Sequence, residues 1–337
     1  MRQKVPQERV RSGVLTAIAV AATMVAGLSE NGRAAAADEV SMLTSWFAQA
    51  EHGGFYQAKA TGIYEKYGLD VEIKMGGPQI NGMQILGAGQ TDFLMSYDFS
   101  VLKALEAGIP AVTVATSFQF DLQGLITHPD VTDLADLRDK TIFVATAGRS
   151  SWWPWIKNEY GLSDEQTKTY TFNLQPFLAD KNAAQQAYMS SEPYAAQKEG
   201  HDVNFFLFAD YGFPPYGTTI VTTHDLVEKN PDLVQRFVRA SLEGWISYFE
   251  NPEPANKLIK EANPNMTDGQ IAYAIERLRE QGALTRGDAA TMGVGIMTDE
   301  RWQKTYDYMV SAGLLDPSVD VRDAYTTQFV KDLRLLP

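Results

Sequence analysis

The 337-residue sequence predicts an α/β protein of two lobes joined by a hinge. Three observations carry this expectation. From residue 40 to about 125, short apolar runs alternate with amphipathic helical patterns, as in mainly parallel sheets covered by helices. A second, smaller series of the same kind follows. Two strand-like stretches, Gly124–Thr127 and Thr218–Thr223, lead out of the first series and back into it. The expected organisation is a leader over 1–37, a first lobe from 38–125 and 218–337, and a second lobe from 126–217. The C-terminal helices are expected on the first lobe. Hinged clamshells of this kind hold ligands between their lobes.

The leader comes first. Arg2, Lys4, Arg9 and Arg11 precede an apolar run, Val14–Leu28, and the small residues Ala34–Ala37 suit signal-peptidase cleavage. A run of this length is short of the ~20 residues a comfortable span needs. A cleaved export signal is expected, with an uncleaved anchor as the alternative. Its removal takes away more basic than acidic residues.

Ser41–Phe47 reads as the first strand, followed by a helix over Gly54–Tyr67 with Gly68 as its stop. Leu69–Met75 alternates apolar and polar residues, the period of a half-buried strand. Ile80–Ala88 and Phe99–Ala107 read as helices, and Asp92–Ser96 and Ala111–Ser117 as strands. In the second series Thr141–Thr146, Thr169–Asn173 and Asn204–Ala209 are strands, with Pro154–Tyr160 a helix. Thr218–Thr223 is a β-branched run and a strand. After Pro231 the chain turns helical: Asp232–Glu250, Ala255–Ala262, Asp268–Gln281 and Asp299–Ser311. Thr267-Asp268 and Thr298-Asp299 supply N-cap chemistry. The aromatic, proline-containing loop Asp210–Gly217 has no structural explanation in the sequence.

Composition excludes several functions. There are no cysteines, so disulfides, thiolate nucleophiles, Cys-ligated metals and lipoprotein anchoring are ruled out. A net charge of −13 argues against nucleic acid and anionic membranes as partners. His52, His128, His201 and His224 are not spaced as a metal pair on a helix, so no metal site is expected. Neither a phosphate loop nor a Gly-x-Ser-x-Gly elbow is present, so no catalytic residue or cofactor is assigned.

Ligands in open α/β sheets meet residues just after strand ends. In the first lobe these are Trp46, Phe47, His52, Tyr97, Asp98 and Phe118. In the second they are Arg149, Ser150 and Trp152 of the Gly148–Trp153 loop, then Glu192, Asp210 and Tyr211. Aromatic rings offer stacking surfaces and carboxylates accept ligand N–H groups, a pattern suited to a flat nitrogen heterocycle. Gly53 and Gly54 would let backbone approach a ligand. Arg149 with Ser150 and Ser151 at a helix start offers an anion a place instead. The ordinary alternatives are core packing for Trp152, Trp153 and Trp155, a turn or cap for His52, and a turn for Glu192.

The stretch Trp46-Phe47, then His52-Gly53-Gly54-Phe55-Tyr56-Gln57-Ala58-Lys59 and Gly62–Ile73, resembles the opening of periplasmic solute-binding proteins of the thiamine-pyrimidine-precursor group. Leu86–Phe93 and Ser190–Tyr194, followed by Lys198-Glu199-Gly200, fit the same group, and the likeness spans about 40–225. The wider group also binds sulfonates, taurine, nitrate and aromatic acids. The resemblance implies a type II periplasmic-binding fold, and a partner permease of an ABC importer in the inner membrane. It puts Trp46, His52 and Tyr97 on one wall and Glu192 on the other. Fungal relatives are enzymes with a cysteine-rich motif, and that activity does not carry over to a chain without cysteine. The Gly148–Trp153 loop departs from the pyrimidine binders' pattern.

The expectation is an exported, monomeric, non-catalytic binding protein that captures a small aromatic or heterocyclic nutrient, a thiamine-related pyrimidine first. A sulfonate or other organic anion in the same fold is the alternative. A periplasmic enzyme acting on a heterocycle is a third reading.

Overall fold

The computed structural model describes residues 36–336. The leader expected over 1–37 falls outside the described residues except for its last two. No helix among the described residues is long and apolar enough to cross a membrane.

Two five-stranded sheets organise the described chain. The first has the order β2-β1-β3-β10-β4. Its strands are β1 (Asp38–Leu43), β2 (Leu69–Lys74), β3 (Phe93–Ser96), β4 (Ala111–Phe118) and β10 (Gly217–Thr223). β1 runs parallel to β2 and β3, whereas β10 enters antiparallel between β3 and β4. The second sheet has the order β7-β6-β8-β5-β9. It comprises β5 (Gln123–Thr127), β6 (Thr141–Val144), β7 (Thr167–Thr169), β8 (Ala183–Tyr188) and β9 (Asn204–Leu207). The chain crosses between sheets twice, through 119–122 and 208–216. The expected division at 125/126 cuts β5, all of whose strand residues belong to the second sheet.

Some elements differ from their sequence reading. β1 stops at Leu43, so Trp46 and Phe47 sit in an irregular bend rather than on a strand. Thr44 pins that bend: its hydroxyl donates to the Trp46 carbonyl at 2.7 Å and accepts from the Gly76 N–H at 3.0 Å. The expected helix over 54–67 is two, Gly53–Ala60 and Ile63–Lys66, because Gly62 between them takes φ +74°. The expected strand over 169–173 ends at Thr169, which leaves Tyr170–Asn173 as a loop.

The first half owes its core to a C-terminal helix. Pro231–Glu250 is amphipathic and buries Phe237, Trp245 and Tyr248 completely. Phe237 stacks on Phe93 with ring centroids 3.8 Å apart. Helix Gly53–Ala60 crosses it closely, and here the two glycines of the opening motif find their use. A Cβ on Gly54 would stand 2.3 Å from the Trp245 ring, and one on Gly53 2.2 Å from Tyr248. Trp245 and Tyr248 of helix Pro231–Glu250 occupy the space the two glycines leave. Helix Asp299–Ser311 packs beside helix Asp98–Glu106, and its Tyr308 hydroxyl donates to the Ser151 carbonyl of the second half.

Candidate functional site

A cleft between the sheets holds ≈ 210 Å³ of space that water can enter. The first half contributes Ser45, Trp46, Gln49, Glu51, His52, Met95 and Tyr97. The second contributes Gln123, Ala145, Ala147, Tyr170, Phe172, Gln186, Ala187, Tyr188, Ser191 and Glu192. Trp46, His52, Tyr97 and Glu192 all line this cleft.

His52 ends a 3-10 turn, Ala50–His52, and is fully buried. Its Nδ1 accepts from the Gln49 N–H at 3.3 Å, which puts the proton of a neutral ring on Nε2. Burial holds the imidazole pKa down to about 3, so the ring is neutral at physiological pH. Nε2 has no protein partner and is left as a spare donor. Glu51 beside it is 3% exposed, and its Oε2 also lacks a partner. Burial pushes the Glu51 carboxyl up to about 7, with the Glu192 charge adding to the effect.

Glu192 is held differently. Its Oε1 accepts from the Tyr170 hydroxyl at 2.9 Å, and its Oε2 accepts from the Tyr188 N–H at 2.8 Å and from the Ser191 hydroxyl. A carboxylate has about four acceptor positions, so roughly one remains for a ligand. The floor is a chain of amides. Gln186 Oε1 accepts from the Ala145 N–H at 2.9 Å, while its Nε2 donates to Gln123 Oε1 at 3.3 Å. Tyr97 and Tyr188 meet through their hydroxyls at 3.3 Å. Burial raises both phenols well above the ordinary tyrosine range, so both stay protonated.

Eight candidates lie outside the lining. Phe47 is exposed and packs edge-on to Trp46, behind the wall rather than in it. Asp98 turns inward: it accepts from the Phe99 N–H at 2.8 Å, the Tyr216 N–H at 3.0 Å and the Thr305 hydroxyl at 3.0 Å. Phe118 is buried edge-on to Trp245 in the core. Arg149 donates to the Thr167 hydroxyl at 2.7 Å and Ser150 to the Ala147 carbonyl at 3.2 Å, and neither lines the cleft. Trp152 is buried against Trp153 and Phe208. Asp210 pairs with Arg286 at 2.6 Å, and Tyr211 is a surface ring near Phe206.

The lining carries two carboxyl groups, five aromatic rings besides the imidazole, and no lysine or arginine. Sequence reasoning missed Glu51, which lies inside the motif already singled out, next to His52. It also missed Tyr170, Phe172 and Tyr188. Strand ends were the available signal, but β7 ends three residues before Phe172, and Tyr188 closes β8. Among the described residues no group of three or more His, Cys, Asp or Glu is placed to hold a metal ion.

The chain resembles known proteins over most of its length. A family model described as NMT1/THI5 like matches residues 49–255. The riboflavin-binding protein RibY of Chloroflexus aurantiacus is 27% identical over 302 residues, covering 87% of this chain and 86% of that one. The formylaminopyrimidine-binding protein of Halalkalibacterium halodurans is 24% identical over 302 residues, with coverage of 87% and 91%. Among solved structures, the periplasmic aliphatic sulphonate binding protein SsuA from Escherichia coli matches with a TM-score of 0.67 at 16% identity, covering 85% of this chain and 91% of that one. The alkanesulfonate-binding protein SsuA from Xanthomonas axonopodis pv. citri, bound to MOPS, gives 0.64 at 14% identity, with coverage of 87% and 100%. At these identities the structural likeness shows the fold: that of periplasmic binding proteins.

Proposed function

The chain belongs to the NMT1/THI5-like family, and on that premise we propose that it is the solute-binding component of an ABC importer, exported by a cleaved leader and monomeric. Its ligand is a small, flat nitrogen heterocycle, a thiamine-related pyrimidine. One observation carries the ligand class: the cleft is lined by Trp46, Tyr97, Tyr170, Phe172 and Tyr188, with Glu51 and Glu192, and by no lysine or arginine. Rings stack on such walls, and the negative faces of aromatic rings favour a partly positive nitrogen. The free acceptor position on Glu192 suits a ligand amino group, and the His52 Nε2–H suits a ring nitrogen. A sulfonate would meet two carboxyl groups with no cation to offset them, which weighs against the organic-anion reading.

The hinge supports a transport role. The two crossings at 119–122 and 208–216 let the halves move about one axis, and a ligand that bonds both walls favours the closed state. Binding and release without chemistry then suffice, and closure presents both halves to a permease.

Native mass spectrometry tests this directly. The full chain is incubated with an equimolar mixture of 4-amino-5-hydroxymethyl-2-methylpyrimidine, riboflavin, taurine and benzenesulfonate. Retention of a heterocycle is expected; retention of a sulfonate alone, or of nothing, overturns the ligand class.

A further inference from the structure

We propose that Phe172 sets the size of the ligand by closing the mouth of the cleft against Trp46, so that the occupant is a single aromatic ring. This rests on the reading of the cleft as a heterocycle site and deepens it to a ligand size class.

Three features of Phe172 point the same way. Its backbone lies at φ +59°, the left-handed region that a bulky side chain rarely adopts. The residue is 52% exposed, among the more exposed large apolar residues of those described. The ring nevertheless lines the cleft, with its centroid 5.1 Å from Trp46 and 5.1 Å from Tyr170. Trp46 follows β1 of the first sheet, and Phe172 follows β7 of the second. The contact therefore spans the two halves.

The next residue sharpens the point. Asn173 tolerates left-handed backbone better than phenylalanine does, and its Oδ1 already caps the following turn by accepting from the Gln175 N–H at 3.0 Å. The cheap arrangement would put the unusual φ on Asn173. The chain puts it on Phe172 and keeps an apolar ring in partial contact with water. Both are unfavourable locally, and strain of this kind concentrates at ligand clamps. With the ring in its lining, the cleft holds ≈ 210 Å³, below the ~300–1,000 Å³ of pockets for drug-sized ligands. A single ring fits between the walls. On this proposal a three-ring flavin needs the space that the Phe172 ring takes.

The experiment compares wild type, Phe172→Gly and Phe172→Tyr by equilibrium titration and stopped-flow dissociation, with 4-amino-5-hydroxymethyl-2-methylpyrimidine and riboflavin as probes. Phe172→Gly removes the ring and suits the backbone, so its thermal midpoint should equal or exceed that of wild type. Wild type is expected to bind the pyrimidine and not riboflavin. Phe172→Gly should release the pyrimidine about tenfold faster and gain riboflavin binding, and Phe172→Tyr should restore slow release. If Phe172→Gly keeps the wild-type dissociation rate and preference, the assignment of Phe172 is overturned. Wild type binding riboflavin as tightly as the pyrimidine overturns the size limit while the heterocycle cleft stands. Wild type binding neither overturns the cleft reading and this inference with it.

Discussion

The Tyr97 hydroxyl lies 3.3 Å from the Tyr188 hydroxyl. Tyr97 follows β3 of the first sheet and Tyr188 closes β8 of the second, so one hydrogen bond joins the halves across the cleft. Tyr188→Phe removes it and keeps both rings. A neutral hydrogen bond contributes about 0.5–1.5 kcal/mol, so the dissociation constant should rise about two- to tenfold. Calorimetric titration checks this, and an unchanged affinity would show that the contact does not favour the closed state.

Glu51 gives the site a pH dependence. Its pKa of about 7 leaves it protonated below neutrality. An aminopyrimidine edge places a ring-nitrogen acceptor beside an amino donor, which a protonated carboxyl matches. Binding above pH 7 then takes up a proton, and affinity falls by up to about tenfold per pH unit. Glu51→Gln should flatten that slope, as read by titrations from pH 5.5 to 8.5. Stability follows the same sign. A carboxyl raised from 4.5 to about 7 on folding stabilises fully below 4.5, and that contribution is lost as pH rises through 7. Glu51→Gln should gain stability over wild type at pH 8 relative to pH 4.5.

Asp98 is predicted to be structural. Its carboxyl joins the start of helix Asp98–Glu106 to Tyr216, next to β10, and to Thr305 of helix Asp299–Ser311. Asp98→Ala strands buried donors, at a cost of about 1–3 kcal/mol each. Urea unfolding should show a loss of at least about 2 kcal/mol, with ligand affinity within about twofold of wild type where the variant is folded. Weaker binding at unchanged stability would return Asp98 to the site.

Gly54→Ala tests the helix crossing. The added methyl would stand 2.3 Å from the Trp245 ring, so the crossing must widen. Overpacking of this kind costs about 1–3 kcal/mol, visible as a lowered thermal midpoint, while ligand preference should persist. A change of preference without loss of stability would mean that this glycine faces the ligand after all.

The alternation of strands and helices made the two sheets legible, and the run from Trp46 to Tyr56 made the first wall legible. Finer detail depended on single-residue turns of the chain. Tyr97 and Asp98 are neighbours; Tyr97 is extended and faces the cleft, whereas Asp98 begins a helix and faces the core. Phe118 ends a strand, as a ligand residue does, but sits on the face covered by Trp245 of a helix far along the chain. Nothing local in the sequence encodes that cover. Tyr170 and Phe172 escaped notice because Thr169–Asn173 has the composition of a strand, while pairing stops at Thr169. Glu51 was hidden for a chemical reason: a lone Glu in a turn is ordinarily solvated, and only tertiary burial makes it unusual.

The cleft, with two carboxyl groups and no lysine or arginine, is expected to select neutral or cationic rings. Calorimetry at pH 7 with 4-amino-5-hydroxymethyl-2-methylpyrimidine and with benzenesulfonate, a ring of similar size bearing a negative charge, tests it most directly. Saturable one-to-one binding of the pyrimidine with no heat from the sulfonate is the expected result. Saturable binding of the sulfonate with none of the pyrimidine would contradict the account.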